Sequence, residues 1–203
     1  MKHLLRIDSS LSGEASISKQ LAGEVIQSLQ QQAPLKITHR DLASEDIPHL
    51  DHTHLTALNT DSKLRTPTQQ KWVAYADSLI NEAISADILL IGAPMYNFNI
   101  PSILKSWFDH IARAGVTFRY TSNGVEGLLK NKHAIVITTR GGIHRNQQSD
   151  SETHFLTVML NFLGIEDISY IYAEGLNMGD GQREAGLSDA RQQIQQLVTS
   201  ARS

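Results

Sequence analysis

The 203-residue chain has no cysteine. Disulfide bonds, thiolate nucleophiles, cysteine-ligated zinc and iron–sulfur clusters are therefore excluded. No apolar run approaches the roughly 18 residues of a membrane span. The N-terminal stretch "MKHLLRIDSS" breaks its short apolar run with Arg6 and Asp8, so no signal peptide is expected and a cytoplasmic protein is the simplest reading. Charge of one sign is also lacking: 18 Lys and Arg against 21 Asp and Glu leave a formal net charge of −3. That argues against a general electrostatic grip on nucleic acid and is too mild for an acidic docking protein. There is no G-x-S-x-G elbow, no Walker motif and no G-x-G-x-x-G. Of the nine histidines, His52 and His54 stand close in sequence, without the further converging ligands a metal needs, and both read as solvated loop residues.

What is present is an alternation of apolar strands and amphipathic helices. Strands are expected at His3–Asp8, 35–42, 87–94, 132–139 and 168–175. The third and fourth, "DILLIGAP" and "KHAIVITT", are nearly continuous apolar runs, as in strands buried on both faces. Helices are expected from Ser16 to Gln32, after the Thr66 cap with Pro67 at its first position, and from Ser102 to Ala114 with Gly115 as C-cap. Two more are expected, from Ser151 to Leu163 ending at Gly164, and from Asp189 to Thr199. The stripe Trp107, Ile111 and Ala114 reads as core. Residues 48–65 are polar and ambiguous, with room for a short helix inside a long loop. Residues 119–130, with turn chemistry at Asn123-Gly124, are the candidate lid or interface arm. Five strands alternating with helices in 203 residues predict one α/β domain spanning residues 1–203, with a parallel sheet in the flavodoxin-like order 2-1-3-4-5 and helices on both faces.

In such a sheet the ligand crevice lies beyond the carboxyl ends of the strands, at the point where strand order reverses. Three loops of unusual composition should meet there. After strand one, "DSSLSGEASISKQ" offers Ser10, Ser16 and Ser18 hydroxyls ahead of a helix, a suitable place for a phosphate. After strand three, "APMYNFNIP" carries Met95, Tyr96 and Phe98 where a turn is usually small and polar, as expected of a wall for a planar ring. After strand four, "TTRGGIH" brings Gly141 and Gly142, whose backbone a ligand can approach closely, with Arg140 adding positive charge. His144, just past the glycine pair, is the histidine most expected to face the site. Singly, each loop could be capping or ordinary packing; all three together are harder to attribute to chance.

The block "APMYNFNIPSILKSWFDHIARAGVTFRY" with "GLLKNKHAIVITTRGGIH" closely resembles the FMN-dependent NADH-azoreductases, members of the flavodoxin-like quinone reductases. The resemblance runs the whole chain. It implies tightly bound FMN, one per subunit, with NADH as electron donor. It implies that Ser10, Ser16 and Ser18 hold the FMN phosphate, with Ile17 contributing main chain. Met95, Tyr96, Asn97 and Phe98 would line the flavin ring, and Thr139, Arg140, Gly141 and Gly142 would form the glycine loop, Thr139 standing where the family has serine. Tyr120 and Phe162, with His144, would border the substrate. It further implies a homodimer with both FMN sites at the interface, and quinones or azo compounds as acceptors in a ping-pong cycle. The reactive centre would be flavin N5 and no side chain need be an essential acid, with Tyr96, Asn97 and His144 as candidate proton donors. Negative charge arising near flavin N1 and C2 would be met by the Gly141 and Gly142 N–H groups. The alternative is a flavodoxin-type electron carrier without a small-molecule acceptor of its own.

Overall fold

The computed structural model describes residues 1–200, the side chain of Ser200 excepted. Seven strands and six α-helices follow one another as β1 (Lys2–Asp8), α1 (Ile17–Gln30), β2 (Leu35–Asp41), α2 (His52–Asn59), α3 (Pro67–Ser85), β3 (Ile88–Pro94), α4 (Ser102–Ile111), β4 (Phe118–Thr121), β5 (Gly124–Gly127), β6 (His133–Thr139), α5 (Ser151–Leu163), β7 (Asp167–Ala173) and α6 (Asp180–Ser200). Five strands form one parallel sheet in the order β2-β1-β3-β6-β7. Counting only these, the order is the expected 2-1-3-4-5.

The sheet separates two apolar cores because strand side chains alternate between faces. Leu5, Ile7, Leu89 and Ile91 point to the side covered by α3, α4 and α5. Leu4, Leu90, Ile135 and Ile137 point to the side covered by α1 and α6. All seven residues of β3 are buried, which explains its unbroken apolar sequence.

The helix starts follow their caps. Ser16 accepts the Lys19 N–H, and Thr66 and Gln69 form a reciprocal capping box with Pro67 behind it. The helix ends differ more. α4 stops at Ile111, three residues short of expectation, because the Thr117 hydroxyl accepts the Arg113 N–H at 2.9 Å and donates to the Ile111 carbonyl at 2.6 Å. Trp107 and Ile111 are core as expected, but Ala114 lies beyond the helix and is exposed. α6 begins at Asp180, nine residues before the expected start. Gly181 and Gly186 weaken the local helical signal. At Gly186 the helix passes so close to the Glu174 carbonyl that a Cβ would overlap it, so tertiary packing selects glycine inside a helix.

Residues 48–65 contain α2, on which His54 is buried rather than solvated. Its ring lies 4.6 Å from that of Trp72 and 5.7 Å from that of His110, and its Nδ1 meets Asp51 at 2.6 Å. His52 is exposed, and no metal-ligand cluster occurs among the described residues. The 119–130 excursion is an antiparallel hairpin, β4 with β5, its two-residue connection being Ser122-Asn123. It leans on the end of α5, where Leu129 N–H donates to Leu163 O at 2.9 Å and the rings of Phe118 and Phe162 are 4.5 Å apart. A Cβ on Gly127 would overlap the Gly164 nitrogen. Gly127→Ala is therefore expected to lower stability by about 3 kcal/mol through overpacking, read by urea denaturation; a loss below about 0.5 kcal/mol would show that the hairpin can lift away freely.

Candidate functional site

Because β1 lies between β2 and β3, the connections leaving β1 and β3 run to opposite sides and open a crevice at their carboxyl ends. The loops after β1, β3 and β6 meet there through direct contacts. Ser9 Oγ donates to Gly92 O at 2.6 Å. Leu11 N–H donates to the Tyr96 hydroxyl at 3.1 Å, with Ser10 Oγ at 3.5 Å. Met95 N–H donates to Thr139 O at 3.0 Å. Ser151 Oγ donates to Phe98 O, and the Phe98 ring meets the His144 ring edge-on at 5.8 Å. The expected convergence is thus present in a single chain.

In the serine loop, Ser16 and Ser18 are buried at the start of α1 with their hydroxyls 3.1 Å apart. Ile17 and Ser18 stand in the first helical turn, whose N–H groups have no partner within the helix. Two hydroxyls, free N–H groups and the positive end of the helix dipole make a place for a dianion. The nearby Lys19 ammonium is held away by Asp41 at 2.6 Å.

The 95–99 turn is built on strained backbone. Asn97 and Phe98 have φ of 50° and 69°. Asparagine tolerates this region, whereas for phenylalanine it costs about 1 kcal/mol or more. Reciprocal Tyr96–Asn99 main-chain bonds of 2.8 and 3.1 Å close the turn. The strain turns Phe98 outward, leaving it 58% exposed, while Met95 and Tyr96 are half-buried. The Tyr96 hydroxyl, a candidate proton donor, bonds the serine loop instead. A cavity of about 630 Å³ opens beside the turn, bounded by Leu11, Tyr96, Asn97, Ile100, Ile103 and Phe155 among others, within the size range of small-molecule sites.

The glycine loop is fixed by a segment that the sequence did not single out. The carbonyls of Arg140, Gly141 and Gly142 accept the N–H groups of Leu176, Asn177 and Gly175 at 3.1, 3.0 and 2.9 Å. A methyl group on Gly141 would sit 2.6 Å from Asn177 Nδ2. With every carbonyl turned one way, the N–H groups of Gly141 and Gly142 are left without an acceptor among the described residues. Two adjacent free donors beside a crevice suit an acceptor-rich or anionic ligand edge. The signal in the sequence was "AEGLNMG", with glycines at 175 and 179 that both take positive φ.

Arg140 departs from expectation. Its guanidinium is buried and turned away from the crevice into three carboxylates: Asp150 at 2.8 Å, Glu152 at 3.1 Å and Glu174 at 3.3 Å. It therefore adds no free positive charge to the site. For Asp150, burial alone would raise the carboxyl, but hydrogen bonds from Arg140 and Thr153, with the Arg140 charge, hold it below its ordinary value. Burial wins at Glu152, which lies wholly inside: desolvation pushes its carboxyl up to about 8, against the pull of Arg140. A carboxyl that holds its proton more tightly in the folded state subtracts stability as pH rises from its unfolded value near 4.5 to about 8. Glu152→Gln should accordingly gain stability relative to the parent across that interval, and most at its upper end. Denaturation midpoints at pH 5 and pH 8 read the difference, and an equal effect at both would contradict it.

His144 sits at the crevice as expected, its Nδ1 bonded to Ser149 Oγ at 2.9 Å. Tyr120 and Phe162 are elsewhere in the chain. Both contact Phe118, at 5.6 and 4.5 Å between ring centroids, and Tyr120 is 76% exposed on the hairpin. Among the described residues, neither makes a hydrogen bond or ring contact with the three loops.

Comparison with known proteins agrees with this geometry. A family model described as flavodoxin-like fold matches residues 2–198. An FMN-dependent NADH:quinone oxidoreductase of Cellvibrio japonicus is 47% identical over 201 residues, covering 98% of this chain and 100% of the relative. One from Vibrio parahaemolyticus is 48% identical over 194 residues, covering 96% and 98%. Among solved structures, an FMN-dependent NADH-azoreductase from Bacillus anthracis in complex with FMN superposes with a TM-score of 0.89 at 28% identity, covering 99% of both chains.

Proposed function

The chain belongs to the flavodoxin-like FMN-dependent NADH:quinone oxidoreductases, and from that premise we propose how its own residues carry the reaction. The enzyme uses FMN as cofactor and NADH as electron donor, and reduces quinones and azo compounds. When bound, FMN supplies the redox chemistry, taking up a hydride and passing electrons to the acceptor. The residues present fit such a group. Ser16 and Ser18, with the first-turn N–H groups of α1, hold the phosphate, and Ser10 adds its hydroxyl. Met95, Asn97 and Phe98 wall the ring. The free N–H groups of Gly141 and Gly142 would meet the electron-rich edge of the bound group and stabilise negative charge there. Thr139 contributes through its carbonyl, which fixes Met95. Arg140 acts only by holding the loop.

His144 borders the acceptor and is placed to pass a proton through Nε2, Nδ1 being held by Ser149. The donor and the acceptor occupy the same face of the site in turn. The protein works as one domain, in the cytoplasm, as a homodimer whose FMN sites lie at the interface. Phe98, Tyr120, Ile143 and Val158 are exposed apolar residues that such an interface would cover, and a partner copy would supply Tyr120 and Phe162 to the substrate space. Among the described residues no helix is long and apolar enough to cross a membrane.

The observation that carries this reading is the direct hydrogen-bonded union of the three loops beyond β1, β3 and β6. Steady-state kinetics with NADH varied against a quinone at several fixed concentrations tests it. Parallel double-reciprocal lines are expected from one shared face; intersecting lines, meaning donor and acceptor bound together, would overturn the shared site.

A further inference from the structure

Glu174 follows the last residue of β7 and enters the reading above only as one of the partners of Arg140. One of its oxygens, Oε1, accepts the main-chain N–H of His144 at 2.7 Å, that of Arg145 at 2.8 Å and Arg140 Nη1 at 3.3 Å. Two consecutive backbone donors just past the glycine pair thus converge on one carboxylate oxygen. The backbone of Glu174 is itself immobilised, its carbonyl lying against Gly186 of α6 with no room for a Cβ. Arg140 and Arg145 lie over the Tyr172 ring at 5.2 and 4.4 Å from its centroid, bracketing the same turn. The loop is therefore held at two places: residues 175–177 fix the carbonyls of 140–142, and Glu174 fixes the N–H groups of 144 and 145.

We propose that Glu174 is a positioning residue for cofactor binding, whose carboxylate clamps the 144–145 turn so that the Gly141 and Gly142 N–H groups stay free and aimed into the crevice. Without that acceptor, the His144 and Arg145 N–H groups must find others. The nearest remedy is rotation of the peptides between Gly142 and Arg145, which misdirects the glycine donors. Glu174 touches no reacting atom in this scheme. Its effect is preorganisation: donors already aimed need no rearrangement when the ligand arrives. The inference rests on the assignment of FMN to this crevice, but the clamp itself exists without the cofactor.

The test compares Glu174→Leu, which removes the acceptor at similar volume, with Glu174→Gln, which keeps an acceptor oxygen at the same reach. FMN affinity is read by fluorescence titration of apo-protein, and amide hydrogen exchange at His144 and Arg145 is read in the same apo-protein. Glu174→Leu is expected to bind FMN at least fivefold more weakly and to exchange those two amides at least tenfold faster, with Glu174→Gln within threefold of the parent on both counts. Should the leucine variant fail to fold, Glu174→Asp, which keeps the charge and shortens the reach, is expected to show the fivefold loss. An acceptor-free or shortened variant that loses less than fivefold, or whose two amides exchange at the parental rate, overturns the proposal. A parent protein that binds no FMN would instead overturn the cofactor assignment, while the amide exchange would still report on the clamp.

Discussion

Replacing Arg140 with methionine is expected to lower folding stability by about 3–5 kcal/mol, the effect of removing one partner from a buried ionic cluster. The Arg140 and Glu152 side chains are fully buried, and those of Asp150 and Glu174 are 10% and 15% exposed. Removing the guanidinium leaves Asp150 and Glu174 without their countercharge beside the Glu152 carboxyl, which burial already pushes up to about 8, and the Thr153 hydroxyl loses a 2.8 Å partner. The attraction within the cluster matters less than the penalty of leaving its members unpaired. A double variant, Arg140→Met with Glu152→Leu, should therefore recover part of the loss, because it takes away the most deeply buried orphan as well. Urea denaturation of the three proteins measures both quantities. A loss below 1 kcal/mol for Arg140→Met would mean that the carboxylates find water or protons readily, and that the cluster does not hold the glycine loop.

The second large effect concerns the serine loop. If Ser16 and Ser18 bind a phosphate, removing both hydroxyls deletes two hydrogen bonds to a charged group. Each is worth about 1.5–3 kcal/mol, so FMN affinity should fall by roughly 10²–10⁴-fold. Riboflavin, which lacks the phosphate, provides the internal control. Its affinity should change little, so the preference for FMN over riboflavin collapses in Ser16→Ala/Ser18→Ala. Ser16 also caps α1 through the Lys19 N–H at 3.2 Å, and loss of that cap costs about 1 kcal/mol on its own. Ser16→Asp separates the two roles: it keeps a capping oxygen and the fold, yet repels the phosphate. An alanine double variant that still prefers FMN as strongly as the parent would move the phosphate elsewhere.

How much of this could be read from the residues depends on the range of the interactions that decide each feature. β3 and β6 announce themselves because burial on both faces demands nearly unbroken apolar runs. The starts of α1 and α3 are equally plain, since Ser16, Thr66 and Pro67 act within three or four residues. The meeting of the serine, aromatic and glycine loops also follows from local composition, once the strand order is fixed by alternation of strands and helices. Side-chain direction does not follow. Arg140 sits in a loop that suggests an anion site, and only residues 10, 12 and 34 positions away turn it inward. The Tyr96 hydroxyl is claimed by Leu11, 85 residues distant. His54 looked like a solvated residue because the ring of Trp72 that covers it belongs to another helix. The first nine residues of α6 were hidden because Gly186 reads as a helix breaker until the Glu174 carbonyl is seen against it. Glu174 itself carries no local signal, since both of the N–H groups it receives come from a different loop.

The central claim is that the three joined loops hold FMN and that NADH and a quinone act on it in turn. Anaerobic double-mixing of the FMN-loaded protein tests this most directly. The first mix, with NADH, should bleach the visible flavin absorbance within the turnover time, and the second, with a quinone, should restore it at a rate that rises with quinone concentration. Flavin that stays oxidised after NADH, or that is bleached but not restored by any quinone, would contradict the account and leave a protein that binds flavin without catalysing its exchange of electrons.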